Sequence, residues 1–358
     1  MLLRFGTYNL LDLAMPRTPV HRHRYGLIVE AVREMFAGRP GVLGVQEVLG
    51  ETAEEAAAVL EMLADDTGMH CQATTTPGGV PAAAIAASGH SFHVGLLWSP
   101  GLEPVPGGMR AYPGGSDFWH SMITVVLDCG GPVPSKWCSY HGDPFRPAQR
   151  LHEAYRVLSA FQDARIPGGV AADWNSISAD RRPDGGYFDP DTLPGQYHRK
   201  VRYQAKFDPG DPTAPPATDR SAAAFLAQPP GGLLDTAALA GVPWLPTTGH
   251  WLVDGRADDF GPRRIDTLRV TEDLAGAVRA HTTHGGPLAA ELAAAVRAHL
   301  ADPAGESIGA KATAVVTRHA AESGLSAAER ASDHLPVSTD LDLAAFRPHN
   351  DAHTGRRP

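Results

Sequence analysis

The chain contains 358 residues, of which 43% are hydrophobic and 20% are charged, a composition ordinary for a folded globular protein. Its three cysteines, Cys71, Cys129 and Cys138, form no C-x-x-C pair, which argues against a disulfide framework and a cysteine zinc site. The formal net charge of −9 argues against a protein that coats polyanions, although it leaves room for a local basic groove.

The amino-terminal residues and the hydropathy pattern bear on localisation. No charged n-region precedes a long apolar stretch, so we expect no signal peptide. No run of about 18 apolar residues occurs, so we expect no membrane span. These features predict a cytoplasmic protein, and nothing in the sequence indicates an obligate protein partner.

The first half of the chain alternates between short apolar runs and segments with helical spacing. The runs predict strands at residues 2–9, 42–48, 94–98, 121–128, 135–140 and 168–173. The helical spacing predicts helices at residues 24–36, 51–66 and 147–164. Because several strands follow one another directly, we expect sheets covered by helices and not a purely parallel doubly wound fold.

The second half of the chain differs from the first in amino-acid composition. Residues 176–232 are crowded with proline, glycine and aspartate, and loops of this length tend to be functional or disordered. The remaining segments predict a helix at 233–240, an amphipathic helix around Leu288, Leu292, Val296 and Leu300, and strands at 264–270 and 335–343.

These patterns do not divide the chain into two domains. We expect a single domain over residues 1–346, with insertions at about 176–232 and 273–331. The polar residues 347–358 are expected to form a frayed tail.

Polar residues stand at the ends of the predicted strands, where functional sites are commonly built. Asp173 and Asn175 lie two residues apart, so both side chains can face one side of an extended chain. The other polar residues of this kind are Asn9, Glu47, His141, Asp266, Asp333 and His334. Each has an ordinary structural explanation alone, such as a turn, a helix cap or a solvated loop. Their joint occurrence at strand ends indicates a common site.

These residues belong to short motifs that occur in a fixed order. The motifs are Thr7-Tyr8-Asn9, Val45-Gln46-Glu47, Tyr140-His141, Ala172-Asp173-Trp174-Asn175-Ser176, Arg264-Ile265-Asp266 and Ser332-Asp333-His334-Leu335-Pro336-Val337. The set resembles that of the endonuclease/exonuclease/phosphatase superfamily, which includes the DNase I-like nucleases. The resemblance implies an α/β fold in the form of a four-layered α/β/β/α sandwich, with two mainly antiparallel sheets flanked by helices.

The resemblance also implies a metal cofactor. Glu47 is expected to be the principal ligand of Mg²⁺ or Mn²⁺, with Asn9 and Asp333 close by. Hard oxygen donors of this kind suit both ions. The metal would act as a Lewis acid on a phosphoryl oxygen.

The same resemblance implies catalytic roles for the remaining motif residues. Asp173 is expected to orient or deprotonate the attacking water, and Asn175 to hold that water or a phosphate oxygen. His334, positioned by Asp266, is expected to bind the phosphoryl group. His141 is expected to contact the phosphate or to protonate the leaving oxygen. The expected enzyme is a metal-dependent hydrolase of phosphate esters that uses in-line attack by an activated water.

The chain departs from the DNase I-like pattern at one functional position. In that branch, an acidic residue before the strand at 94–98 supports the first catalytic histidine. Here the stretch reads Ser91-Phe92-His93-Val94, so His141 is expected to lack an acidic partner. The W-C-D-R-I motif of inositol phosphatases is also absent, which disfavours an inositol-phosphate substrate.

The substrate remains open between nucleic acid and a small phosphorylated metabolite. The frequency of nucleases in the family favours a phosphodiesterase on nucleic acid. The acidic net charge and the insertion at 176–232, which could close a pocket, favour a small molecule. Residues 197–207 interleave basic and aromatic side chains that could grip phosphates and stack on bases, or could form a solvated hairpin. A catalytically inactive binding module is disfavoured because the acidic and histidine residues are all retained.

Overall fold

The computed structural model describes residues 1–191, 204–211, 213–214, 216–257 and 261–346. Its strands are β1 (Leu2–Leu13), β2 (Gly41–Leu49), β3 (Gln72–Ala73), β4 (Ala82–Ala83), β5 (Ile85–Ala86), β6 (Phe92–Trp98), β7 (Glu103–Pro104), β8 (Arg110–Tyr112), β9 (Ser121–Asp128), β10 (Ser135–His141), β11 (Gly168–Asp173), β12 (Ala205–Lys206), β13 (Ala217–Thr218), β14 (Leu233–Asp235), β15 (Leu252–Val253), β16 (Arg256–Ala257), β17 (Asp266–Thr271), β18 (Val278–Thr283) and β19 (Val337–Asp342).

The helices begin and end where the sequence provides caps. They are α1 (Pro19–Phe36), α2 (Ala53–Thr67), α3 (Pro147–Ser159), α4 (Ser221–Leu226), α5 (Thr236–Ala240), α6 (Gly286–Ala301), α7 (Ile308–Glu322) and α8 (Ala327–Ala331), with 3-10 turns at Glu272–Ala277 and Leu343–Ala345. At the start of α2, the Thr52 hydroxyl accepts a hydrogen bond from the Glu55 amide, and Gly68 ends the helix in a left-handed conformation.

Two sheets form the centre of the fold. The six-stranded sheet has the order β18-β19-β1-β2-β6-β5, and the seven-stranded sheet has the order β14-β17-β11-β10-β9-β7 with β8 paired to β9. Pairing is mainly antiparallel, and the parallel pairs are β1 with β2 and β10 with β11. The sheets pack face to face through an apolar core that includes Phe5, Leu96, Ile123, Trp137 and Leu268.

Helices cover the outer face of each sheet. A second core joins α1, α2 and α8 to the six-stranded sheet, and a third joins α3 and α4 to the seven-stranded sheet. The result is two helical layers around two sheets, which confirms the fold class expected from the sequence.

The sheets approach each other closely at Gly44. A Cβ atom at Gly44 would lie 2.5 Å from the Cβ of Ala171 in the other sheet, so a larger residue would push the sheets apart. Two residues further along β2, the Gln46 amide donates to the Ser139 hydroxyl across the same interface at 3.1 Å. The close approach therefore brings the end of β2 to the end of β11.

Some secondary-structure elements differ from those predicted from the sequence. Residues 233–240 were expected to be a helix, but the structure has strand β14 followed by the short helix α5, because β14 pairs with β17. The strand predicted at 2–9 continues to Leu13. Within the stretch at 273–331, β18 is an edge strand of the six-stranded sheet. Among the described residues, no helix has the length and apolar composition needed to cross a membrane.

Helices α6 and α7 form a small core with the hairpin β15–β16. Ala257 and Leu252 of the hairpin pack in one cluster with Leu288, Leu292 and Val316. The Ala257 amide also donates a 2.9 Å hydrogen bond to the Thr313 hydroxyl of α7. The helices of the second predicted insertion therefore hold this hairpin in place.

Candidate active site

Polar side chains from both sheets meet at one end of the sandwich. β1 and β2 carry Asn9 and Glu47, and the seven-stranded sheet carries His141, Asp173 and Asp266. The strand register places Asp173 opposite His141 on one side and opposite Asp266 on the other. Asn175, Asp333 and His334 reach the same region from the adjoining loops.

The backbone is unusual at two of these positions. Glu47 has φ 60° and Asn175 has φ 48°, both in the left-handed region. At Glu47 the conformation coincides with a shift in the register between β2 and β6. Left-handed backbone costs a residue such as glutamate about 1–3 kcal/mol, and it persists where the surrounding structure fixes it, often at functional sites.

The Asn9 side chain connects two carboxylates. Its Nδ2 atom donates to Glu47 Oε1 at 2.9 Å and to Asp173 Oδ2 at 3.1 Å. Its Oδ1 atom accepts from the Leu11 amide at 3.1 Å, so the amide orientation is fixed from both ends. Asn9 is fully buried, and it holds Glu47 and Asp173 at a defined separation.

The Glu47 carboxylate has a raised pKa. Burial raises its pKa to about 7, and nearby Asp333 and Asp173 add to this effect, while His334 and the hydrogen bond from Asn9 oppose it. Its Oε2 atom accepts from the Asp12 amide at 3.2 Å. A cation beside this carboxylate would favour its charged form.

Asp333 is partly exposed, with a side chain 38% accessible. Its Oδ1 atom lies 3.8 Å from His334 Nε2. The neighbouring Ser332 is buried, and its hydroxyl donates to the Asn9 carbonyl at 2.8 Å. The Ser332 hydroxyl also accepts from the His334 amide at 3.1 Å, which ties the Asp333-His334 pair to the end of β1.

His334 forms a buried pair with Asp266. Its Nδ1 atom lies 2.8 Å from Asp266 Oδ2, and that oxygen also accepts from the Thr247 hydroxyl at 2.6 Å. Burial lowers the pKa of His334, but Asp266 and Asp333 together raise it well above the usual histidine value. The imidazole is therefore a cation near neutral pH, with Nε2 directed away from Asp266.

Asp173 and Asn175 form a compact turn. The Asn175 amide donates to Asp173 Oδ1 at 2.9 Å, and its side-chain Nδ2 donates to the Gly142 carbonyl at 3.1 Å. Burial raises the pKa of Asp173, against the lowering effects of His334, of the Asn175 amide and of the Asn9 side chain. A carboxylate with a raised pKa is a stronger base than an exposed aspartate.

His141 lies within reach of Asp173 but is supported by another histidine. Its Nε2 atom is 3.5 Å from Asp173 Oδ2, and its Nδ1 atom has no hydrogen-bond partner among the described residues. The ring of His120 stacks on His141 with centroids 3.9 Å apart and an interplanar angle of 6°. Burial and the charge of His334 lower the pKa of His141 to about 3, so it is neutral at physiological pH.

A cleft with two parts opens over these residues. One part, here called the aromatic arm, is a cavity of about 420 Å³ with the rings of His90, Phe92, Trp119, His120 and Phe145 in its wall. The other, here called the cationic arm, is a cavity of about 480 Å³ whose wall includes Trp251, Arg256 and Arg263. Asn175 and His334 line both arms, so they stand where the two meet.

One cluster of these groups has the spacing of a metal site. Asp173, Asp266 and His334 each offer a ligand atom, and these atoms lie within 4.8 Å of one another. Glu47 and Asp333 add oxygen donors nearby, and with Asp173 and Asp266 they place more negative than positive charge around His334. The donor set therefore fits a divalent cation.

Proteins of known structure share this architecture. The chain is similar to an endonuclease/exonuclease/phosphatase from Bacteroides vulgatus, with a TM-score of 0.51 and 14% identity over 96% of this chain and 99% of that one. The chain has the endonuclease/exonuclease/phosphatase fold. It is also similar to a mannosyl-6-phosphatase of Bacteroides thetaiotaomicron (TM-score 0.50, 13% identity, 95% and 99% covered). The catalytic domain of human Nocturnin is a further match (TM-score 0.51, 14% identity, 95% and 94% covered). No family model and no curated protein sequence matches the chain.

Within this endonuclease/exonuclease/phosphatase fold, three residues that are absent from the sequence motifs also contact the site residues. They are Asp12, whose amide binds Glu47, Thr247, whose hydroxyl binds Asp266, and His120, which stacks on His141. Asp12 belongs to none of the motifs because the first strand was expected to end at Asn9, whereas it continues to Leu13. Thr247 and His120 reach the site through long-range packing, for which the local sequence carries no signal.

A basic stretch at residues 21–24 lies in the first turns of α1. His21, Arg22 and His23 are exposed on α1, whereas Arg24 donates to the carbonyls of Leu10 and Ala331 and so anchors the end of β1. In the segment at 197–207, residues 197–203 lie outside the described residues. The hypothesis that this segment grips phosphates and stacks on bases therefore stays a prediction.

Proposed function

We propose that this chain is a divalent-metal-dependent hydrolase of phosphate esters that acts on phosphodiesters by in-line attack of water. The observation that carries the proposal is the Asn9 amide, which binds Glu47 at 2.9 Å and Asp173 at 3.1 Å. It sets a metal-ligand carboxylate and a basic carboxylate side by side, with the cationic His334 facing the same cleft. Phosphoryl transfer requires this combination of charge neutralisation and positioning.

Glu47 and Asp333 would hold the metal, with Asn9 orienting Glu47 through its hydrogen bond. Bound Mg²⁺ or Mn²⁺ would supply Lewis-acid polarisation of a phosphoryl oxygen. We assign Glu47, and not the Asp173, Asp266 and His334 cluster, as the main ligand. In that cluster the Nδ1 atom of His334 is already committed to Asp266 at 2.8 Å.

Asp173 serves as the base in this proposal. It accepts a proton from water while the water oxygen forms a bond to phosphorus and the bond to the leaving ester oxygen breaks. The leaving oxygen keeps the bonding electron pair and takes a proton from solvent water. Its raised pKa supports this role, because a more basic carboxylate takes the proton more readily. Asn175, held by its bonds to Asp173 and Gly142, positions the water or a phosphate oxygen.

His334 binds the phosphoryl group. Because Nδ1 is paired with Asp266, Nε2–H is the group available to donate to a non-bridging phosphoryl oxygen. His141 contributes a hydrogen bond to the phosphate and does not act as the general acid, since a pKa of about 3 leaves it without a proton to give at neutral pH.

A panel of substrates tests the proposal. The protein is incubated with Mg²⁺ or Mn²⁺ and supercoiled plasmid, single-stranded oligonucleotides, mononucleotides or simple phosphomonoesters, with a chelator in parallel. We expect metal-dependent cleavage of a diester substrate. Absence of metal-dependent hydrolysis across the panel would refute the proposed activity.

Two substrate classes fit this chemistry. Nucleic acid is the first, and a salt titration of oligonucleotide binding tests it because phosphate contacts give a steep salt dependence. The second is a small phosphate ester. One observation favours it: the cavity lined by Glu47, Asp173 and His334 has a volume of about 420 Å³, which suits a small molecule.

A further inference from the structure

A buried carboxylate binds the chain segments that carry the two stacked histidines of the site. Glu153 of α3 is fully buried. Its Oε1 atom accepts from the Trp119 amide at 2.7 Å, and its Oε2 atom accepts from the Asp143 amide at 3.0 Å and from the Tyr140 hydroxyl. Burial raises the pKa of Glu153, and these three hydrogen bonds oppose that rise. All three partners are donors, which suits an acceptor-only carboxylate.

Two of these partners flank His141 in the sequence. Tyr140 directly precedes it in β10, and Asp143 follows it by two residues. Tyr140 and Glu153 are both buried, so a lost hydrogen bond here would leave a polar group without water to replace its partner. The carboxylate therefore fixes the backbone on both sides of His141.

The third partner holds the chain that carries the other ring of the stack. Trp119 directly precedes His120, whose ring centroid lies 3.9 Å from that of His141. The Arg146 guanidinium lies over the Trp119 ring at 4.6 Å, and Arg146 pairs with the Asp143 carboxylate at 2.6 Å. These contacts link the Trp119 and Asp143 segments a second time, in addition to the carboxylate that binds both amides.

The two imidazoles need such support because their own polar contacts are few. His141 Nδ1 has no hydrogen-bond partner among the described residues, and His141 Nε2 lies 3.5 Å from Asp173 Oδ2. The Ser88 hydroxyl lies 3.5 Å from His120 Nδ1, which is at the limit of a hydrogen bond. The directions of both rings therefore depend chiefly on their backbones and on the stack itself.

We propose that Glu153 is a positioning residue that aims His141 at the phosphate. It acts through the segments that carry the two stacked histidines and not through contact with the substrate. The proposal rests on the proposed phosphoesterase activity, in which His141 contributes a hydrogen bond to the phosphate. A displacement of about 1 Å in such a group can lower a rate by about 100-fold, so the position of His141 is worth fixing.

Glu153→Gln tests this role with little change in the shape of the side chain. An amide nitrogen cannot accept a hydrogen bond, so at least one of the three donors loses its partner. With Mn²⁺ and bis(p-nitrophenyl) phosphate, we expect kcat/KM to fall about tenfold. In a His141→Ala background the same substitution should change kcat/KM by less than about twofold, because the residue through which it acts is gone.

Two further variants separate positioning from general destabilisation. Leu226→Ala is the structural control, because Leu226 is buried in the same apolar cluster as Val157 of α3. It should lower the melting temperature and leave kcat/KM near the wild-type value. Tyr140→Phe keeps the ring and removes one donor, so kcat/KM should fall about threefold in the wild type and stay unchanged in the His141→Ala background.

The histidine ring signals in an NMR spectrum give a readout that needs no catalysis. In protein labelled with isotopes at histidine, the stacked ring of His120 should shift the His141 ring signals, and His120→Ala shows the size of that shift. Glu153→Gln should move the His141 signals toward their positions in His120→Ala. Leu226→Ala should leave them in place.

The failures are distinguishable. A wild-type rate in Glu153→Gln, or an equal loss of kcat/KM in the wild-type and His141→Ala backgrounds, would overturn the positioning role while the phosphoesterase activity stands. Unmoved His141 signals in Glu153→Gln would overturn it as well. If Glu153→Gln does not fold, Tyr140→Phe decides by the same comparisons. If the wild type hydrolyses no phosphate ester with metal present, the proposed activity fails, and the His141 signals alone decide whether Glu153 positions that ring.

Discussion

His334 Nδ1 lies 2.8 Å from Asp266 Oδ2, and both groups are buried. Burial lowers the pKa of His334, but Asp266, with smaller contributions from Asp333 and Asp173, raises it well above its usual value. Asp266 therefore favours the charged form of the residue proposed to bind the phosphoryl group.

Asp266→Asn should therefore change the pH profile as well as the rate. The raised pKa keeps His334 protonated in the wild type, and protonation is lost only as pH rises through that value. In Asp266→Asn the pKa falls, so the alkaline limb of kcat should move to lower pH, with a loss of about 100-fold at pH 8. A series of kcat measurements from pH 6 to 10 with saturating metal gives both the position of the alkaline limb and the loss of rate at pH 8. A uniform loss with an unmoved alkaline limb would contradict this role.

The affinity for metal should depend on pH through Glu47. Its pKa of about 7 means that protons compete with the cation below neutral pH. For one competing proton, the Kd for Mn²⁺ should be about tenfold higher at pH 6 than at pH 8. Titration calorimetry measures this, and Glu47→Gln should bind weakly with little pH dependence. Equal wild-type affinity at both pH values would remove Glu47 from the proposed metal site.

The stack of His120 on His141 should matter for catalysis through ring shape. His120→Ala removes the surface that covers His141 and should lower kcat by about tenfold, whereas His120→Phe should retain most of the rate because a flat ring remains. Steady-state kinetics on one diester compares the two variants. Equal losses in both would show that the imidazole chemistry of His120, and not its stacking, is required.

The start of β17 depends on a buried ion network. Arg264 binds Asp189 at 2.7 Å and Asp235 at 2.8 Å, and all three residues are buried. Arg264→Met leaves both carboxylates unpaired and should lower the free energy of unfolding by about 3–5 kcal/mol. The surface pair Arg318 and Glu291, also 2.7 Å apart, is the matched control, because Arg318→Met should cost less than about 1 kcal/mol. Urea denaturation measures both, and similar losses would contradict the assignment.

The sequence predicted strand bounds best where an apolar run is bounded by glycine or polar residues. The strands Ser121–Asp128 and Gly168–Asp173 have the predicted bounds, because apolar runs flanked by glycine or polar residues define them locally. This pattern also pointed to Asn9, Glu47 and Asp173, which the structure places together.

Features that depend on distant partners were not predictable in the same way. Residues 233–240 are rich in leucine and alanine, which favours a helix, yet β14 forms because it can pair with β17 across the chain. Thr247 and His120 contribute through contacts with Asp266 and His141 that no local pattern encodes. The cationic arm likewise depends on the packing of α6 and α7 against the hairpin.

The most direct test of the proposed activity is the rate of Asp173→Asn on a phosphodiester with Mg²⁺ present. The substitution keeps the shape of the side chain and removes the base, so kcat should fall by at least about 1000-fold while Mg²⁺ affinity and the thermal melt stay near those of the wild type. The wild type should lose its activity with a chelator and regain it with Mg²⁺. Wild-type turnover by Asp173→Asn would contradict the proposed mechanism.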